Sequence, residues 1–199
     1  MDNAGGQTME RDDRMTGTRR RTMQFPSDGR SKILEEFAAF ARKYADSKTH
    51  LQQGDLLDAF MKLQEALKHW ARLVIFEDGK EPGEAVWSQI HKINAGVYKL
   101  NEELVMSKET LEQRIQLVLL ACEFSLMSKM EKCCAPLIGV LKSRAEPWSI
   151  AELQEHPELA RIRNELTLVL NKLVQKSLIR EVAVIQGENI DHLDIRYIA

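Results

Sequence analysis

The chain has few cysteines and no long apolar run, and both absences exclude classes of protein. Its longest uninterrupted apolar run extends from Leu117 to Cys122, whereas a membrane-spanning helix needs about 20 such residues. No apolar segment follows the basic residues near the N-terminus, so no secretory signal is expected. The 3 cysteines are an odd number with two of them adjacent, which does not suit a disulfide framework. Reduced thiols, a cytoplasmic location and no membrane contact are therefore the expectation.

An excess of positive charge is also missing. The sequence contains 28 Lys and Arg against 30 Asp and Glu, a formal net charge of -2. A protein that binds mainly to the phosphates of nucleic acid should carry a basic excess. With 199 residues, of which 44% are hydrophobic and 29% charged, the composition is that of an ordinary globular chain of one or two domains.

The motifs of common catalytic and metal-binding families are missing as well. The sequence contains no glycine-rich phosphate-binding loop and no G-x-S-x-G nucleophile turn. It lacks the Gly-Ser and spaced Asp-x-Asp signature of nucleotidyltransferases, and the Arg-x4-6-His motif of certain helical RNases. The cysteines lack the C-x2-C spacing that zinc favours. We therefore predict no catalytic residue and no metal ligand in this chain.

The hydrophobic pattern divides the chain into three parts. Residues 1–31 are rich in Gly, Thr, Arg and Asp, which predicts a disordered tail whose Arg19–Arg21 run stays solvated. Residues 32–145 carry apolar side chains at helical spacing, and the short breaks between the runs predict an antiparallel helical bundle. Residues 146–199 have a different pattern and form the third part.

Local signals mark the ends of the predicted helices. Gly79 suits a left-handed C-cap, and Pro82 suits the first turn of the next helix. Thr110 and Gln113 have the spacing of a capping box at the start of a long helix. Pro136 falls inside the apolar pattern, which predicts a kink or break near Cys133.

The third part reads helix, helix, helix, strand, turn, strand, which is the order of a winged helix-turn-helix domain. Ser149 and Glu152 form a second predicted capping box. The strand-like runs 178–184 and 193–197 flank a turn at Gly187–Asn189, which predicts a β-hairpin. The predicted fold class is therefore mainly α, an antiparallel helical bundle followed by a small winged helix-turn-helix domain.

The charge of the third part argues against DNA reading as its main role. Residues 147–199 contain more acidic than basic side chains. The predicted recognition helix offers only a few groups that suit phosphates and base edges, namely Asn164, Asn171, Lys172, Gln175 and Lys176. We therefore favour a packing or protein-contact role and keep DNA binding as an alternative.

The bundle offers two polar stretches as candidate ligand-binding residues. His69 and Arg72 lie three residues apart and share a helical face, so they could hold a phosphate or carboxylate. They could equally be a hydrogen-bonded His and a surface ion pair, and that plainer interpretation is favoured. Glu123, Ser125 and Lys129 lie on the long helix, where Glu123 could face His69 or Arg72, although ordinary interhelix hydrogen bonds explain these residues as well.

Several segments resemble one known family, over residues 24–199 and in unbroken order. The most specific are residues 66–73 (ALKHWARL), 97–104 (VYKLNEEL), 119–128 (LLACEFSLMS) and 143–149 (SRAEPWS). They resemble the YgxA-type nucleotidyltransferase-like proteins of Bacillus relatives. The resemblance implies a helical substrate-binding domain followed by a winged helix.

In that family a nucleotidyltransferase-like domain precedes these two modules, whereas residues 1–23 have no counterpart in it. The carboxylates that hold Mg²⁺ would belong to that further domain, so no cofactor is expected in this chain. The resemblance implies a portion that binds a nucleotide, another small ligand or a partner domain without catalysis. A winged-helix DNA-binding regulator and a structural partner of a separate catalytic domain, or a homodimer, are the alternatives.

Overall fold

The computed structural model describes residues 27–185 and 193–199, and the predicted Gly187–Asn189 turn and residues 1–26 lie outside this range. Six α-helices come first, and a second group of short elements follows. The first six are α1 (Ser27–Gln53), α2 (Leu56–Glu77), α3 (Val86–Ile93), α4 (Ala95–Met106), α5 (Leu111–Cys133) and α6 (Ala135–Leu141). The rest are β1 (Trp148–Ser149), α7 (Ile150–Glu155), a 3-10 helix (Pro157–Ile162), α8 (Leu166–Gln175), β2 (Arg180–Ile185) and β3 (Leu193–Ile198). The prediction of a mainly α fold is confirmed.

Helix α1 is the centre of the molecule. It packs against α2, α5 and α6, and also against the 3-10 helix and α8 of the C-terminal part. Phe37, Phe40 and Tyr44 are all buried, so α1 presents no apolar patch for a docking partner at these positions. The Ser47 hydroxyl donates a 2.7 Å hydrogen bond to the backbone carbonyl of Ala59 on α2. Because Ser47 and Ala59 are small, the two antiparallel helices approach closely there.

Two local predictions are confirmed at helix ends. Gly79 adopts a left-handed conformation with φ 76°, and its N–H donates to the carbonyl of Phe76 at 2.9 Å as α2 ends. The capping box of Thr110 and Gln113 is complete at the start of α5. The break predicted from Pro136 is also present, since α5 ends at Cys133 and α6 begins at Ala135 with the proline in its first turn.

Two boundaries differ from the predictions. Helix α1 begins at Ser27, so the last residues of the predicted tail are helical. Pro82 does not start a helix, because α3 begins only at Val86. The Gln89 side chain instead holds the preceding loop, donating to the carbonyl of Glu81 and accepting from the N–H of Gly83, each at 3.0 Å.

The C-terminal part is a small α/β unit with a three-stranded antiparallel sheet in the order β1-β3-β2. The predicted hairpin is present, with Val182 opposite Arg196 and Ile185 opposite Leu193. The two-residue strand β1 was not predicted, and it pairs Trp148 with Tyr197. None of the helices in the described ranges is long and apolar enough to cross a membrane.

Candidate functional site

The predicted pair His69 and Arg72 meets a buried carboxylate on α1. Glu36 is only 7% exposed, and its two carboxylate oxygens each face one partner. His69 Nδ1 lies 2.7 Å from Oε2, and Arg72 Nε lies 2.7 Å from Oε1. Both acceptor atoms of the carboxylate are thus occupied from within the protein. This arrangement neutralises a buried charge and ties α2 to α1.

The predicted residue Lys129 also belongs to an ion pair inside the bundle. Its amino group lies 2.5 Å from Oε2 of Glu77, near the end of α2, and Lys132 lies 3.8 Å from the other carboxylate oxygen. Ser125 is buried on α5, and its backbone carbonyl accepts a 3.0 Å hydrogen bond from the Ser128 hydroxyl. The two lysine contacts with Glu77 join α5 to α2, the serine hydrogen bond lies within α5, and none of them involves His69 or Arg72.

Glu123 does not face His69 or Arg72, contrary to the sequence-based expectation. It lies against α1 at Tyr44 and Lys48, with its carboxylate 3.8 Å from the Lys48 amino group. Tyr44 is eight residues beyond Glu36 on α1, a rise of about 12 Å. The reason is the antiparallel packing of α1 and α5, which sets Glu123 opposite the middle of α1.

Tyr44, Lys48 and Glu123 form a polar cluster with Lys172 of α8. Burial raises the pKa of the Tyr44 hydroxyl, and the hydrogen bond to Glu123 raises it further. Tyr44 is therefore a neutral donor to the carboxylate at neutral pH. The Lys48 amino group lies 3.4 Å from the Tyr44 hydroxyl oxygen, and that of Lys172 lies 5.5 Å from the centre of the Tyr44 ring. Burial lowers the pKa of Lys172, and this effect outweighs the negative charge of Glu123, which raises it.

A cleft of about 270 Å³ opens beside this cluster between α1 and α5. It combines the cluster's charged and hydroxyl groups with apolar side chains. Its lining comprises Tyr44, Lys48, Leu51, Gln52, Gln116, Leu119, Leu120 and Glu123. A surface of this kind suits a small ligand with an apolar ring and charged or hydroxyl groups.

Glu36, Tyr44 and Lys48 were missed as site residues by the sequence-based interpretation. Glu36 lies between the apolar residues Leu34 and Phe37 of α1. A carboxylate at a core-facing position needs a partner, so its place in the helical pattern was a usable signal. Tyr44 and Lys48 lie one turn apart on α1, but only the fold shows that α5 brings Glu123 to them.

The described part of the chain contains no group of three or more His, Cys, Asp or Glu that could hold a metal ion. Cys122, Cys133 and Cys134 are free and buried. Burial raises their thiol pKa values, that of Cys133 to about 12. These thiols are therefore neutral core groups and poor nucleophiles.

Comparison with known proteins gives the bundle a family. A family model described as the YgxA-like substrate binding domain matches residues 30–129, about half of the chain. The chain belongs to the YgxA-like family. A second model, a helix-turn-helix domain, matches residues 135–196 and so covers α6 and the C-terminal part.

Two proteins similar to this chain are substantially longer. The protein YgxA of Bacillus subtilis is 34% identical over 170 residues, which are 84% of this chain and 58% of the relative. The crystal structure of a nucleotidyltransferase-like protein from Exiguobacterium sibiricum is 31% identical, with a TM-score of 0.81. That match covers 87% of this chain and 60% of the solved chain. The chain thus spans about three fifths of the length of either relative.

Proposed function

We propose that this chain is the ligand-binding part of a nucleotidyltransferase-like protein and that its ligand binds in the cleft between α1 and α5. The observation that carries the proposal is the cluster of Tyr44, Lys48 and Glu123 at an open cleft of a YgxA-like substrate-binding domain. The likeness to the nucleotidyltransferase-like protein from Exiguobacterium supports the same class of protein.

The chemistry of the cleft favours a nucleotide or a ligand of similar build. The Lys48 amino group can bind a phosphate oxygen, and the Glu123 carboxylate can accept a hydrogen bond from a ribose hydroxyl or a base amino group. Leu119 and Leu120 offer an apolar wall to a base or other ring. The volume of about 270 Å³ lies just below the usual range of about 300–1,000 Å³ for ligand pockets, which suits a ligand no larger than one nucleotide unit.

The other predicted residues have structural roles in this proposal. His69 and Arg72 are held by Glu36, and Lys129 is held by Glu77. A ligand at either place would have to displace a short ion pair from a largely buried carboxylate, which costs free energy. The cleft needs no such displacement, because its Lys48–Glu123 contact of 3.8 Å is long and half-exposed.

Calorimetric titration with the common ribonucleoside mono- and triphosphates tests the proposal. We expect Lys48→Ala and Glu123→Gln each to weaken binding by about tenfold, the loss of one charge-assisted hydrogen bond. Lys43→Ala is the matched control on α1, because Lys43 pairs with Glu65 instead, and it should bind like the unmodified chain. Equal affinity of all three variants, or no binding of any nucleotide, would contradict the proposal.

Nucleic-acid binding is a second candidate function, and the helix-turn-helix match at residues 135–196 favours it. The position of Lys172 argues against it, because this base-reading candidate from the sequence lies over the Tyr44 ring beside the bundle. Of the other candidates, Asn171, Gln175 and Lys176 are exposed on α8 and at its C-terminal end, so they are accessible to nucleic acid. Fluorescence anisotropy with duplex DNA at low and high salt separates the two roles. Affinity that falls steeply with salt would favour the regulator.

A further inference from the structure

Helix α5 carries an apolar stripe on its solvent side that nothing in the described chain covers. The stripe consists of Leu117, Leu120, Phe124 and Met127, which are 50%, 67%, 76% and 39% exposed. Scattered exposed apolar residues are ordinary, but four large ones on a single helical face form a contiguous surface. We call this surface the α5 stripe.

The spacing of the α5 stripe is that of a coiled-coil seam. Its members are three, four and three residues apart, the alternation that keeps apolar side chains on one side of a helix against a partner helix. The opposite side of α5 is already occupied, because Ile115, Val118, Cys122 and Leu126 are buried in the bundle. The helix therefore has two apolar sides, and the fold accounts for one of them.

The spacing is also the same when it is read in reverse, so the α5 stripe is complementary to an antiparallel copy of itself. A two-fold axis near Cys122 would set Leu117 opposite Met127 of a second copy and Leu120 opposite Phe124. Such an isologous contact needs only one surface, present on both molecules. The next positions on the same helical face are Gln113, before the stripe, and Glu131, after it. The same axis sets Gln113 of each copy opposite Glu131 of the other, which pairs an amide donor with a carboxylate acceptor.

The last turn of α4 carries further exposed apolar side chains and is held against the start of α5. Arg114 of α5 donates hydrogen bonds to the carbonyls of Leu104 and Val105, at 2.8 and 3.1 Å. These bonds hold the last turn of α4 beside the start of the α5 stripe. Val105 and Met106 on that turn are also exposed. The stripe spans about 15 Å of helix, and with α4 the contact would bury on the order of 1,000 Å², the size of a weak specific interface.

We propose that the α5 stripe pairs two copies of this chain as an antiparallel, two-fold symmetric dimer. The pairing does not depend on the identity of the ligand, so it stands or falls separately from the proposed function. In the dimer Leu120, which also lines the cleft, would pack against the second copy, so Leu119 would be the apolar wall left to a ligand.

Sedimentation equilibrium of the full chain from about 1 to about 200 µM tests the dimer. We expect the mass to rise from that of one 22.8 kDa chain towards twice that value. Phe124→Ser should leave a folded monomer, because this side chain is exposed and lies outside the core. Leu57→Ser is the matched control, since Leu57 is 74% exposed on α2, away from the α5 stripe, and it should still dimerise.

Disulfide cross-linking with copper phenanthroline and air as the oxidant tests the register. The double variant Leu117→Cys, Met127→Cys should give a covalent dimer, because the two positions face each other across the axis. Either single variant should not, since like positions would be about 15 Å apart. A chain that stays monomeric throughout the concentration range overturns the dimer, and cross-linking of the single variants overturns the antiparallel register.

Discussion

Glu36 is the buried carboxylate of α1 that contacts two side chains of α2. An ionised carboxylate in a helix core is costly unless each oxygen has a partner, and here His69 and Arg72 supply one each. The sequence placed His69 and Arg72 on one helical face, but it could not show which residue they contact. Glu36 lies 33 residues from His69, and only the antiparallel packing of α1 on α2 brings the two together.

Removal of this carboxylate should destabilise the protein rather than change its affinity for ligand. We expect Glu36→Ala to lower the free energy of unfolding by about 2 kcal/mol, because the His69 ring loses its hydrogen-bond partner and the Arg72 guanidinium loses its ion-pair partner at once. The measurement is urea unfolding followed by circular dichroism, compared with the unmodified chain.

Glu35→Ala is the control for that change. Glu35 lies next to Glu36 on the same helix and pairs with Arg161 at 2.8 Å, but both of those side chains are about half-exposed. Exposed pairs contribute little, so its loss should cost less than about 1 kcal/mol. Equal effects of the two substitutions would show that burial of Glu36 does not set the strength of its contacts.

At the scale of elements, local chemistry predicted the helix ends well. The Thr110–Gln113 and Ser149–Glu152 boxes and the Gly79 cap need only residues within a few positions of one another. Strand β1 escaped prediction because two residues are too few for an alternating pattern, and it exists only through its pairing with β3. The cleft could not be predicted either, because it exists only where α1 and α5 pack side by side.

The capping box of α7 should make stability depend on pH. Glu152 accepts from the N–H of Ser149 at 2.8 Å and from Arg144 at 2.7 Å. These bonds lower the pKa of Glu152 from 4.5 to about 2. A carboxyl whose pKa is lower in the folded than in the unfolded state stabilises the folded state. Its full contribution is present at pH values above its unfolded-state pKa. That contribution is lost as the pH falls from about 4.5 through about 2.

We therefore expect the melting temperature of Glu152→Gln at pH 7 to be lower than that of the unmodified chain. The difference should be a few degrees at most, because the Glu152 carboxylate is partly exposed and solvent weakens its ion pair. The difference between the two melting temperatures should shrink as the pH is lowered towards 2. Glu155→Gln, an exposed carboxylate in the same helix, shows the effect of losing one negative charge there. A Glu152→Gln difference that stays constant with pH would contradict the assigned cause.

At the scale of the whole molecule, α1 joins the family-matched bundle to the helix-turn-helix part. Arg161 of the 3-10 helix pairs with Glu35 at 2.8 Å, and Arg42 donates to the carbonyl of Asn164 at 3.3 Å. Apolar residues of both parts belong to one continuous core. The two parts therefore contact each other mainly through α1, which favours unfolding as a single unit.

Ile162→Ala tests that coupling. Ile162 is 1% exposed in the 3-10 helix, which packs on both α1 and α6, so its truncation leaves a cavity and should cost about 2 to 4 kcal/mol. Scanning calorimetry should show one unfolding transition for the unmodified chain. Ile162→Ala should also show one transition, at a lower temperature, because the bundle and the C-terminal part unfold together. Ile195→Ala is the control in that part, because Ile195 is 44% exposed on β3 and its loss should shift the transition little. Two separate transitions, of which only one moves with Ile162→Ala, would mean that α1 does not couple the parts.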